Sequence, residues 1–155
     1  MIQLTCPYCR APTRIADASV VYGRLGYGRV LMCSSYPSCD AYVGIHSDRT
    51  DGKGSLARGP LRRMRRKCHD LLDPLWQGES PLHRQDVYRA AARYFKVDLF
   101  HIGHLREEAA LEFIERFPAF KAWLQRSTSR RSRSKAPDRV APAGLQSSGA
   151  TSVTA

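Results

Sequence analysis

Cys6-Pro-Tyr-Cys9 and Cys33-Ser-Ser-Tyr-Pro-Ser-Cys39 decide how the first third of this 155-residue chain is read. Thiolate is a strong zinc donor, and a structural site takes four donors in a closed tetrahedron. The first pair presents two sulfurs from one tight turn. The second presents two from a slightly longer turn, in which Pro37 restricts the loop. The 23 residues between the pairs suit a β-hairpin that returns the chain to the metal. Cys6, Cys9, Cys33 and Cys39 are therefore the expected ligands of one structural Zn²⁺. A redox role for Cys6 and Cys9 would need a thioredoxin-like βαβ setting, whereas the residues that follow are β-prone and glycine-rich. A module this small has almost no core, so its folding is expected to depend on the metal.

Outward from the cysteines, Ser19–Tyr22, Arg29–Met32 and Ala41–Ile45 are short β-prone runs, which predicts three antiparallel strands with Gly23–Gly28 as a hairpin loop. Residues 46–59 are polar and hold three glycines, the pattern of an ordered loop or a hinge. Helical signals begin at Pro60. Leu61, Met64, Cys68, Leu71, Leu72 and Leu75 share one face of the first helix. A second helix is expected from Ser80 as N-cap, burying Val87, Tyr88, Ala91, Ala92 and Phe95. A third carries Leu105, Ala109, Phe113, Ile114 and Phe117 until Pro118 interrupts it, and a short Ala119–Gln125 helix closes the bundle. From Ser127 onward Ser, Arg, Thr, Ala, Pro and Gly predict a disordered basic tail. The fold class is thus small α+β: a four-cysteine zinc ribbon (1–47), a connecting loop (48–59), a helical region of three to four helices (60–126) and the tail (127–155).

His46 lies just past the last strand, but four cysteines already close the metal site. Cys68, although followed by His69, falls on the apolar stripe of its helix, where a free cysteine behaves as a small hydrophobe. His101 and His104 flank Gly103 before a helix, with no third donor at ligand spacing nearby, so capping or structural hydrogen bonding is the default for both.

The formal net charge is +11, with 25 Lys and Arg against 14 Asp and Glu, so an anionic partner is the first to consider. Segments 1–60, 61–78, 79–126 and 127–155 carry +3, +3, +1 and +4, which concentrates the excess in two short clusters. No run approaches the roughly 18 apolar residues of a membrane span. The opening Met-Ile-Gln-Leu-Thr-Cys lacks the pattern of a secretory leader. Five cysteines, grouped as two pairs and one, do not make a secreted disulfide scaffold. A cytoplasmic location and no membrane partner are expected.

Leu31-Met-Cys-Ser-Ser-Tyr-Pro-Ser-Cys39 is similar to the Cys-x-x-Tyr-Pro-x-Cys half of the zinc ribbons at the C-terminus of bacterial type I DNA topoisomerases, and that resemblance implies nucleic-acid binding. A wider set of motifs, Cys-Pro-Tyr-Cys, a Tyr-Gly turn, Asp40-Ala-Tyr-Val-Gly44, Leu56-Ala, Leu61-Arg-Arg, His69, Asp73-Pro-Leu-Trp76 and His101-Ile-Gly103, resembles the zinc-finger-containing domain family of phages and bacterial prophages. It implies a zinc finger joined to helices and supplies no catalytic residues.

Arg62, Arg63, Arg65, Arg66 and Lys67 put five cations into six residues with no acidic residue among them, a geometry that can lie along a phosphate backbone. A solvated face is the plainer alternative. In the ribbon, Arg24 and Arg29 are mixed with Tyr27 and Tyr36, which fall at loop positions. Aromatic faces stack on unpaired bases while arginines hold phosphates. Tyr22 and Tyr42 read as support for a thin core.

The chain has no asparagine, no clustered carboxylates for Mg²⁺, no Walker loop, no nucleophile elbow and no deaminase signature. The expectation is a non-enzymatic nucleic-acid-binding protein, with DNA as the first candidate and no small-molecule substrate. The alternative is a zinc-stabilised adaptor that presents a surface to a phage or host protein.

Overall fold

Three short strands, β1 (Thr13–Asp17), β2 (Arg29–Cys33) and β3 (Tyr42–Gly44), form an antiparallel sheet with β2 in the middle. The computed structural model describes residues 5–48 and 50–134. The register pairs Thr13 with Cys33 and Asp17 with Arg29 on one side of β2, and Met32 with Tyr42 and Val30 with Gly44 on the other. Because side chains alternate across a sheet, the two faces differ. Leu31, Cys33 and Val43 face one way and meet Cys6, Cys39, Ala41, Ile45 and Leu56. Val30, Met32 and Tyr42 face the other way, with Ala18, Val21 and Tyr36. The sulfur cluster lies on the first face and the aromatic cluster on the second.

Ser19–Tyr22 is not the strand its composition predicts. It forms a helical turn, α1, between β1 and β2, and Thr13–Asp17 takes the outer strand position. Local hydrogen bonding overrides the β preference of Val20 and Val21. The Asp17 carboxylate accepts the Ser19 N–H at 2.8 Å and starts the turn. Gly23, in the left-handed region at φ 70°, closes it with a 2.7 Å bond to the Ser19 carbonyl.

The helical half consists of α2 (Gly59–Leu72), α3 (Arg84–Phe95) and α4 (Glu107–Ser134), with 3-10 turns at Asp73–Leu75 and Ile102–His104. Pro60 opens α2 as expected. The start of α3 is later than predicted, because Ser80 makes a turn instead of a cap: its hydroxyl donates to the Leu75 carbonyl and accepts the Leu82 N–H. Lys96, in the left-handed region, ends α3. Pro118 does not interrupt α4, and residues 127–134, expected in the tail, continue the helix. Proline in a helix loses one backbone bond and crowds the preceding turn. Here Phe113, Phe117, Phe120 and Leu124 are buried on both sides of it and hold the helix to the core. Ala109 is exposed, and Ala110 takes its place in the core. The rest of the predicted tail, residues 135–155, lies outside the described residues. No helix among the described residues is long and apolar enough to cross a membrane.

The segment expected as a loop or hinge is docked to both halves. Leu56 belongs to the ribbon core and Ala57 to the helical core. Ala57 exchanges backbone bonds with Tyr42 at 3.2 and 3.3 Å, and the Ser55 N–H donates to Gly103 at 2.9 Å. Gly54 passes so close to Gly103 that a Cβ on Gly54 would sit 2.2 Å from the Gly103 carbonyl oxygen.

Candidate metal centre and the groove beside it

The turn after Cys6 folds back on itself: the Arg10 N–H bonds the Cys6 carbonyl at 3.0 Å, and Arg10 takes φ 64°. That turn brings Cys9 round toward Cys33, and the second turn brings Cys39 toward Cys6. The Sγ atoms of Cys6 and Cys39 are 3.6 Å apart, those of Cys9 and Cys33 3.4 Å apart, and all four lie within 4.8 Å of one another. Four sulfurs about 2.3 Å from a zinc would be about 3.8 Å from each other. The donor set therefore fits one structural Zn²⁺ with no open position. Among the described residues these four cysteines are the one such donor group. Cys6, Cys33 and Cys39 are buried and Cys9 is exposed; Cys68 is buried in the helical core with its thiol 3.7 Å from the Ala110 carbonyl.

Burial pushes the Cys33 thiol up to about 12 and raises that of Cys6. Cys39 is also penalised by burial, but the Ala41 N–H and the Arg58 guanidinium overcome that and bring it down to about 7. Only a cation at the centre lets all four ionise together. Arg58, whose Nη2 is 3.6 Å from the Cys39 sulfur, offsets part of the negative charge of a tetrathiolate zinc.

The metal loop is bonded directly to the helical half. Asp40 follows the last ligand, and its carboxylate accepts the Gly59 N–H at 2.9 Å, capping α2 where an anion complements the helix dipole. The same oxygen accepts from Arg62 at 2.9 Å. Although its burial works the other way, the Gly59 N–H and the Arg62 guanidinium hold the Asp40 carboxyl below its ordinary range.

Residues 2–117 match the family described as a zinc-finger-containing domain. The chain belongs to that family. No curated protein and no solved structure matches the chain. In this zinc-finger-containing domain, the spacing argument and the sulfur geometry name the same four ligands.

The five cations of α2 do not share one fate. Arg65 is buried, and its guanidinium donates to the Ser55 carbonyl at 2.7 Å, the Ser55 hydroxyl at 2.8 Å and the Leu105 carbonyl at 2.8 Å. This corrects its expected place at a nucleic-acid surface: its donors are spent joining three segments. Arg62 is spent on Asp40 and the Ala57 carbonyl, with its guanidinium 3.8 Å from the centre of the Tyr42 ring. Arg63, Arg66 and Lys67 are exposed. Arg63 and Arg66 line an open groove between α2 and the aromatic face of the sheet, with Lys53, Tyr22 and Tyr42. Lys67 is outside it.

Of the ribbon residues, Tyr27 is half exposed on the glycine loop, with Arg24 over its ring at 5.0 Å. Tyr36 is half-buried against Val30 and Met32. Arg29 begins β2 opposite Asp17, in the register of the metal-side face. Sequence reasoning missed Asp40, Arg58 and Lys53, and it placed Tyr22 in the core, whereas that ring is half exposed. The position of Asp40 directly after Cys39, and of Arg58 directly before the helix-opening Gly59-Pro60, were the available signals.

Proposed function

We propose that this zinc-finger-containing domain is a non-enzymatic nucleic-acid-binding protein, acting on DNA in a phage or prophage setting, with zinc in a purely structural role. The observation that carries the reading is the groove between sheet and α2. Cations on α2 share it with the rings of Tyr42 on β3 and Tyr22 on α1, and this is how proteins combine phosphate attraction with base contact. The two acidic residues that line it, Asp70 and Asp73, lie toward the end of α2 remote from the sheet, and Asp73 is paired with His69 at 3.3 Å.

The test is binding of fluorescent DNA by zinc-loaded protein across a salt series. Affinity is expected to fall steeply as salt rises, since each phosphate contact releases a counterion. Arg63→Glu with Arg66→Glu is expected to weaken binding at low salt by about a hundredfold or more while the zinc content stays at one per chain. Undetectable binding of single- and double-stranded DNA and RNA at low salt would overturn the proposal.

A second reading, a protein-interaction adaptor, draws support from the exposed apolar side chains of Val97, Leu99 and Leu111. A stoichiometric protein partner that survives nuclease treatment and is lost on Leu99→Lys would favour it.

A further inference from the structure

The groove differs from a generic basic surface in the order of its side chains. Arg24 lies 5.0 Å from the centre of the Tyr27 ring, Tyr27 lies 5.1 Å from Tyr22, Tyr22 lies 6.0 Å from Tyr42, and Arg62 covers Tyr42 at 3.8 Å. This is a continuous row of rings with a guanidinium at each end. The Tyr22 and Tyr27 rings remain 47% and 50% exposed, although burying an aromatic face is favourable. Tyr22 and Tyr42 line the groove with Lys53, Arg63 and Arg66, and Tyr27 extends the row beyond Tyr22.

We infer that the groove binds a single strand of nucleic acid, with unpaired bases stacked on Tyr22 and Tyr27 and the backbone phosphates held by Lys53, Arg63 and Arg66. The inference rests on the nucleic-acid reading and narrows it. First, a base pair inside a duplex has both ring faces covered by its neighbours, so exposed tyrosine faces find partners only on unpaired bases. Second, a helix reads duplex DNA by entering a major groove about 12 Å wide, which a helix of about 10–12 Å diameter nearly fills. α2 cannot do so with its groove-side cations, because that side is walled by the sheet: Arg62 rests on Tyr42 and is tied to Asp40. A single strand need not be entered by a helix, and its bases can turn out to meet the rings.

The loop that carries Tyr27 supports this use. Gly23, Gly26 and Gly28 all adopt positive φ with open space around them, which turns the chain sharply and leaves Arg24, Leu25 and Tyr27 exposed, with the Tyr27 ring beside Tyr22 of the groove.

The experiment is fluorescence anisotropy of the full-length, zinc-loaded chain with oligo(dT) and oligo(rU) of about 20 nucleotides, and with a mixed-sequence duplex of equal length. At least one of the single strands is expected to bind about tenfold or more tightly than the duplex, and the better of the two identifies DNA or RNA as the ligand. Tyr27→Leu and Tyr22→Leu are each expected to weaken single-strand binding by about five- to a hundredfold, with duplex affinity and zinc content unchanged. Tyr27→Phe and Tyr22→Phe keep the ring and are expected to bind as the parent does. Equal or tighter binding of duplex would overturn the inference while leaving the nucleic-acid reading in place, as would leucine variants that bind single strands as the parent does. Absence of binding to every probe would overturn both.

Discussion

The ribbon and the helical half are held together by different physics. In the ribbon, Leu31, Ala41, Ile45 and Leu56 gather around the cysteines, and no aromatic ring lies inside that cluster. In the helical half, Phe95, Phe100, Phe113, Phe117 and Phe120 pack with Tyr94 and Trp123 at ring separations between 5.0 and 6.5 Å. Burying one such ring stabilises by roughly 1.5–3 kcal/mol, so the helices have an adequate core of their own. The ribbon does not. The metal therefore matters to one half directly and to the other only through their junction at Asp40, Arg58, Arg62 and Arg65.

Removal of zinc is expected to have the largest effect, since binding of a structural zinc supplies on the order of 10–16 kcal/mol of apparent folding free energy in small zinc-finger peptides. With a chelator at neutral pH, amide protection is expected to vanish from β1–β3 while most of the far-ultraviolet helical signal persists. Cys33→Ser should do the same. If the helical signal collapses at the same chelator concentration, the two halves are one cooperative unit and the helices have no sufficient core of their own.

The junction offers the next test. Arg65→Met keeps the volume and the apolar stem but leaves the carbonyls of Ser55 and Leu105 without their donors. Each buried polar group left unpaired costs roughly 1–3 kcal/mol, so a loss of about 3 kcal/mol is expected. Both tryptophans, Trp76 and Trp123, lie in the helical half, so their fluorescence follows that half alone. In urea, zinc release and tryptophan fluorescence are expected to draw apart in Arg65→Met compared with the parent. Unchanged spacing of the two transitions would show that Arg65 does not couple the halves.

What could be read in the sequence followed from chemistry that is local. The zinc ligands were legible because thiolates at those spacings have few other uses, and the start of α2 because proline at a first turn is a local signal. The fate of the basic run was not, because the groups that engage Arg62 and Arg65 lie at Asp40, Ser55 and Leu105, remote in sequence and brought near only by the fold. The helical turn at Ser19–Tyr22 shows the converse failure. There, the β propensity of Val20 and Val21 yields to Asp17 and Gly23, which supply a start and a stop for a turn. Pro118 is a local signal for a break, but phenylalanines on either side are buried in a core that outweighs one missing hydrogen bond. In the candidate groove, Arg24 and Tyr27 were visible as types. The row they form with Tyr22 and Tyr42 exists only once the glycine loop and sheet are folded.

The smallest effect isolates the helical half from the metal. His101 packs its ring 4.9 Å from that of His104, and its Nδ1 is buried with no hydrogen-bond partner. Burial, followed by the positive charges of His104, Arg84, His69 and Arg65, holds its pKa below the ordinary 6.5. The folded state therefore prefers the neutral ring, and as pH falls the unfolded chain takes up the proton first. The stability this ring contributes is complete above about pH 6.5 and is lost as pH falls from there through the lower folded value. Solvent screens the charge at this partly exposed position, so the effect is expected to be small. Thermal unfolding at about pH 7.5 and about pH 5.5 should show a larger loss in the parent than in His101→Gln. Protonation of the zinc thiolates also destabilises the protein at the lower pH, but it does so equally in both chains. The difference between the two losses therefore reports on His101 alone, and equal losses would mean that His101 contributes nothing to the pH dependence.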